Sequence, residues 1–207
     1  MCKKFLLYII LVLTASTALA QHHAGQYIDN VIARIQEADG IAADFTLRGS
    51  DHSGLYLQGT IEIQGEKFHL STNDMTTWYD GKTLWAYHKS IGEVNITEPT
   101  WQELVEINPY LLLDNYKQSF TVQEVTSTHR GERCFTLTPI KCNTRIAQVM
   151  ITIATDSMSP ISFVITDDNN NSTIIAITRY NDQAQLSDAT FTFDRRQYPQ
   201  ATIVDLR

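Results

Sequence analysis

The chain has 207 residues, 43% apolar and 19% charged, with 16 Lys plus Arg against 23 Asp plus Glu and a net charge of −7. This balance belongs to a folded globular protein and excludes a disordered, collagen-like or coiled-coil chain. Nucleic acid is excluded as a partner, because that affinity rests on clustered Lys and Arg neutralising phosphates. Lys3 and Lys4, the apolar run from Phe5 to Leu13 and the small-residue signal Ala18-Leu19-Ala20 read together as a secretory signal peptide. The run is too short for a spanning helix, which takes about 20 apolar residues. Cleavage is expected after Ala20, leaving 21–207 as one exported domain; loss of Lys3 and Lys4 takes the charge from −7 to −9. Cys2 precedes the apolar run and Gln21 follows the cleavage signal, so no lipid anchor is expected.

Residues 24–38 read as an amphipathic helix, with Tyr27, Ile28, Val31, Ile32 and Ile35 at spacings of three and four and Gly40 as its terminator. The period then changes to two. Strands are expected through Ala43 to Leu47, Leu55 to Ile63, Phe68 to Leu70, Met75 to Tyr79, Thr83 to Tyr87 and Val94 to Ile96, with Asp80-Gly81 as a hairpin turn. Thr100-Trp101-Gln102-Glu103 is a capping box that opens a short helix through Leu104 and Ile107, which Pro109 ends or kinks. Tyr110 to Leu113, with Tyr116, forms a second apolar helical piece. Strands resume at Phe120 to Val125, Arg133 to Thr138, Ala147 to Ala154, Ile161 to Thr166, Thr173 to Tyr180 and Ala189 to Asp194. About a dozen strands at hairpin spacing imply one antiparallel sheet. Such a sheet must curl, and helices across its mouth can enclose an apolar cavity for a ligand.

Catalytic signatures are missing: no H-E-x-x-H, Cys-x-x-Cys, phosphate loop or G-x-S-x-G elbow occurs. Gly49-Ser50-Asp51-His52-Ser53-Gly54 holds Ser, His and Asp only as neighbours in a turn, whereas triad members converge from separate segments. No enzyme activity, cofactor or metal site is expected. A mature Gln21-His22-His23 terminus could chelate Cu²⁺ or Ni²⁺, but a tail without function is the plainer reading. Cys134 and Cys142 are either a bridge permitted by export or two free thiols. Aromatic residues concentrate between Trp78 and Tyr116, either as core or as the wall of a hydrophobic chamber. Leu111, Leu112 and Leu113 cannot all face one way on a helix, so some are buried or contact a ligand, as a movable lid would.

Asp80-Gly81-Lys82-Thr83-Leu84-Trp85-Ala86-Tyr87 resembles the D-G-K-x-L-W-x-Y hairpin of the periplasmic outer-membrane lipoprotein carriers, the LolA-type family. Weaker likenesses follow in the family's order: Ala43-Asp44-Phe45-Thr46, Gly59 to Phe68, Asn108 to Leu113, Phe135-Thr136-Leu137-Thr138-Pro139 and Ala189 to Phe193. The resemblance implies an unclosed β-barrel, mainly β, with short helices capping its concave face. It implies a periplasmic, monomeric carrier that receives acylated outer-membrane lipoproteins from an inner-membrane ABC transporter and passes them to an outer-membrane acceptor. By position, Ile35, Phe68, Leu111 and Leu113 match apolar sites tied to the cavity or to transfer. Ile61, Ile63, Trp85 and Tyr87, on adjacent strands, are further candidates for the cavity wall. The family places an Arg and a Pro just ahead of Phe68, where the Arg holds the lid shut. Here the segment is Gln64-Gly65-Glu66-Lys67, so Lys67 or Gln64 substitutes, or the lid is controlled differently. Two alternatives stay open beside the carrier: a lipid-binding or lipoprotein-sensing module on the same scaffold, and a domain whose cavity is filled by its own side chains.

Overall fold

The computed structural model describes residues 25–50, 54–108, 111, 116–141 and 145–207. The signal peptide, Gln21-His22-His23, Asp51 to Ser53, Pro109, Tyr110, Leu112, Leu113 and Cys142 lie outside the described residues.

Helix α1 covers 25–37. Its spacing of three and four buries Ile28, Val31 and Ile32 and leaves Gln26, Asn30, Ala33 and Arg34 exposed. Eleven strands then run through β1 (Ile41–Gly49), β2 (Tyr56–Gln64), β3 (Lys67–Thr72), β4 (Met75–Tyr79), β5 (Leu84–His88), β6 (Glu93–Thr97), β7 (Phe120–Val125), β8 (Glu132–Pro139), β9 (Ile146–Ala154), β10 (Pro160–Asp167) and β11 (Ser172–Asn181). Between β6 and β7 the described residues include α2 (Trp101–Ile107) and α3 (Tyr116–Ser119). The α2 capping box forms as the sequence predicts: the Thr100 N–H donates to Glu103 Oε2 at 2.7 Å, and the Glu103 N–H donates to Thr100 Oγ1.

All strands join one twelve-stranded sheet in the order β12-β6-β5-β4-β3-β2-β1-β11-β10-β9-β8-β7, where β12 is Thr202–Asp205. The end strands β12 and β7 do not pair, so the sheet curls without closing. A register shift between Asp44 and Phe45 against β11, and two more between β9 and β10, bend it. The β4–β5 hairpin turns where Asp80 Oδ1 accepts the Lys82 and Thr83 N–H groups at 2.9 and 2.8 Å and Gly81 takes φ +100°, a region open to glycine.

Three expectations need correction. Ala189 to Asp194 is not a strand. Its first three residues lie in a 3-10 turn, Asp188–Phe191, and the rest lead to a second, Arg195–Gln197, within a segment that crosses the outer face of the sheet. The apolar alternation there serves to anchor aromatic rings rather than to pair: Phe191 is fully buried, and Lys67 Nζ meets Asp188 Oδ1 at 2.6 Å. The last strand is β12 instead, and it pairs with β6 in parallel, so the sheet is not wholly antiparallel. Third, Gly40 does not end α1, which stops at residue 37. Its place is set by space: a Cβ there would lie 2.5 Å from the Ala184 carbonyl oxygen and 2.8 Å from Leu186 Cδ1, where the returning C-terminal segment crosses.

Candidate functional site

The concave face is built from residues that alternate inward on neighbouring strands. One row runs Ile41, Ile63, Phe68, Tyr79, Leu84; the next runs Ala43, Ile61, Leu70, Thr77, Ala86, Asn95. Beyond β1 the same face continues through Ile175, Phe163, Ile151 and Phe135. Most of these side chains belong to one apolar cluster that also takes in Ile28, Val31 and Ile32 of α1, Leu104 and Val105 of α2, Leu111, and Tyr116 of α3. The helices thus cover the concave side, and sheet and cover share a single core.

Of the residues singled out from the sequence, Ile61, Ile63, Phe68 and Leu111 meet in this cluster, and Ile35 packs at its margin. Phe68 is wholly buried and its ring lies 5.4 Å from that of Tyr79. Trp85 and Tyr87 do not join them. Leu84 and Ala86 face inward, so the two aromatics between and beyond them point to the outer face. There the Tyr87 ring packs at a tilt against that of Tyr198, 4.7 Å away, and Trp78 packs edge-on against Phe193 and Tyr198 at 5.5 Å. Trp78 and Tyr87 hold down the C-terminal segment on the outer face, while Tyr79 is the hairpin aromatic that faces inward. Leu113 lies outside the described residues.

The cover is attached at its rim by polar contacts. Tyr116 Oη donates to Asp29 Oδ1 at 2.8 Å, and Lys117 Nζ meets the same oxygen at 2.8 Å, joining α3 to α1. Burial pushes the Asp29 carboxyl up, but the Lys117 and Tyr116 bonds outweigh it and hold it below the usual carboxylate range. Burial and the same contact raise the Tyr116 hydroxyl, which stays a donor at any physiological pH. On the other flank, Tyr27 of α1 stacks on Phe135 at 5.4 Å and carries the Arg133 guanidinium 3.8 Å from its ring centre. Arg133 is held there by two bonds to Glu124, of 2.8 and 2.7 Å. Arg34 Nε reaches Asp182 at 2.8 Å, tying α1 to the chain just beyond β11. Sequence reasoning missed these ties, because nothing in the spacing of Asp29, Tyr116 and Lys117 signals that they meet. Neither residue nominated to replace the lid Arg takes part: Lys67 pairs with Asp188, and Gln64 Nε2 donates to the Asp39 carbonyl at 2.8 Å.

Clefts open at both rims of the cover. One of 470 Å³ lies where α1 and α3 meet β7, lined by Asp29, Tyr116, Phe120 and Val122. One of 720 Å³ lies beside α2, lined by Leu84, Thr97, Glu103 and Ile107. Among the described residues no three His, Cys, Asp or Glu side chains gather as a metal site would require, and no helix is long and apolar enough to cross a membrane. Cys134 is free; its cross-strand neighbour is Thr152, with Sγ 3.6 Å from the hydroxyl.

A family model described as outer membrane lipoprotein carrier protein LolA matches residues 15–169. An uncharacterized conserved protein from Thermus thermophilus shares the fold at TM-score 0.56 and 11% identity, over 86% of this chain and 98% of that one. A LolA superfamily protein from Nitrosomonas europaea aligns at TM-score 0.46 and 12% identity, over 82% of this chain and 97% of that one. No curated protein matches the chain.

Proposed function

Since the chain belongs to the outer-membrane lipoprotein carrier protein LolA family, we propose that it is a periplasmic carrier that shields the acyl chains of lipoproteins between inner and outer membrane. The observation that supports this reading most is the largely apolar concave face, covered by short helices that polar ties hold at the rim. Exposing an acyl chain costs about 0.8 kcal/mol per CH₂, so about 12 kcal/mol for a sixteen-carbon chain, and a soluble carrier must enclose it. Lifting α1 and the Leu111 side chain from the sheet would offer the chain a surface of the same chemistry that they now cover. The carrier works without covalent chemistry. Cargo would arrive from a lipoprotein-releasing ABC transporter and leave to an outer-membrane acceptor.

A second reading, a lipid-binding or lipoprotein-sensing module, is favoured by one observation. Lys67 and Gln64 stand on the outer face and are engaged elsewhere, so a family-type latch ahead of Phe68 has no equivalent at these positions. Native mass spectrometry of the protein purified from its own periplasm separates the readings. Bound triacylated lipoprotein is the expected result. A free lipid as the sole bound species would favour the second reading, and an empty protein that takes up no acyl probe would contradict both.

A further inference from the structure

The second inward row of the concave face is apolar through Ala43, Ile61 and Leu70, then carries Thr77, Ala86 and Asn95 on β4, β5 and β6. Thr77 is 1% exposed, and its hydroxyl oxygen has no hydrogen-bond partner. The Asn95 side-chain oxygen is likewise buried and without a partner. An unsatisfied buried polar group is costly, and Val or Leu would fill either position without that cost. Both groups sit on the same face, two strands apart, which sets their backbones about 10 Å from each other. Both belong to the wall that the proposed carrier would turn toward its cargo.

We propose that Thr77 and Asn95 are a polar anchor in this apolar face, binding the ester and amide linkages where acyl chains join an acylated cysteine. This deepens the carrier reading and rests on it. The Thr77 hydroxyl donates to an acyl carbonyl. The Asn95 amide, whose oxygen and nitrogen can exchange places by rotation, donates to a carbonyl or accepts from the amide N–H of an N-acyl group. The anchor fixes the depth at which the linkages sit, so the chains run into the apolar rows around Phe68 and Ile63. It also discriminates: a hydrocarbon without such linkages would leave both groups unpaired, and a site built to bond a polar group disfavours ligands that lack it.

The test compares two probes on the full mature protein: a synthetic tripalmitoylated cysteinyl lipopeptide, and N-phenylnaphthylamine, which is apolar and has no acyl linkage. Thr77→Val and Asn95→Leu are each expected to weaken lipopeptide binding about tenfold, which is about 1.4 kcal/mol, with naphthylamine binding changed less than twofold. Thr77→Val is also expected to melt at or above the wild-type temperature, since it removes an unpaired buried group. Equal weakening of both probes, no weakening of either, or a lower melting temperature for Thr77→Val would overturn the anchor and leave the carrier reading standing. A wild-type protein that binds neither probe would overturn both together.

Discussion

Gly40 and Phe68 illustrate two ways a single residue is fixed by its surroundings. Phe68 is set by chemistry, since every neighbour on its row is apolar and it has no exposure at all. Gly40 is set by space, because the C-terminal segment returns across it and the Ala184 N–H donates to its carbonyl at 3.0 Å. A methyl group at position 40 would push on a backbone oxygen that cannot swing aside. Gly40→Ala gains about 0.4–1 kcal/mol from a stiffer unfolded chain, but overpacking costs about 1–3 kcal/mol. The net expectation is a loss of up to about 2.5 kcal/mol in chemical denaturation, with faster amide exchange at Ala184. A neutral or stabilising Gly40→Ala would show that the segment is not pinned there. The outer-face aromatics carry the same lesson about sidedness. Trp85 and Tyr87 stand in the most family-like stretch of the sequence, yet strand alternation sends them away from the inner wall.

At the scale of elements, the tie between α3 and α1 is one of the contacts that hold the cover. Asp29 is held below the ordinary carboxylate range, so its contribution is complete above the unfolded value of about 3.9 and is lost as pH falls through the lower folded value. The Tyr116 hydroxyl is raised, so its contribution is complete below about 10 and is lost only as pH climbs through the folded value above that. Between those limits the tie is intact. The Asp29 and Lys117 side chains are 38% and 66% exposed, so solvent screens the pair and it is worth at most about 1 kcal/mol. Asp29→Asn is therefore expected to lower stability by up to about 1 kcal/mol at pH 7 and to match the wild type at a pH well below about 3.9. A penalty that persisted unchanged in acid would show that charge is not what Asp29 supplies.

Elements were also where sequence reading worked best. The 3.6 period of α1, the two-residue alternation of β1 to β11 and the Thr100–Glu103 box are local signals, and each element formed from them. The last strand was misplaced for a physical reason. Phe191 and Phe193 alternate as a strand would, but Phe191 is buried against the outer face and Phe193 packs on Trp78 and Tyr198 there, and no local pattern reports that. The four residues of β12 carry no contrast between their sides and pair only because the chain returns beside β6. The candidate site was legible in part. Phe68 and Leu111 stand out by family likeness and Ile61 and Ile63 by their place on neighbouring strands, and the four side chains share one apolar cluster. Which face Trp85 and Tyr87 take, and which polar groups tie the cover, depend on register and on contacts across the chain.

At the scale of the molecule, one curled sheet separates two cores with different work. The outer core of Trp78, Phe191, Phe193 and Tyr198 fastens the C-terminal segment. The inner core joins the sheet to helices that are short and tied by polar contacts at the rim. If the cover lifts as proposed, the ladders of the sheet stay intact, and the chain's excess of acidic over basic residues would suit steering toward a basic docking surface. The claim that the inner core is where acyl chains go is tested most directly by site-specific photo-crosslinking. A benzoylphenylalanine at position 68 and another at position 87 would each be exposed to the tripalmitoylated lipopeptide in the full mature protein. Crosslinks from position 68 and none from position 87 are the predicted result. Crosslinks from position 87 alone, or equal yields from both, would contradict the account.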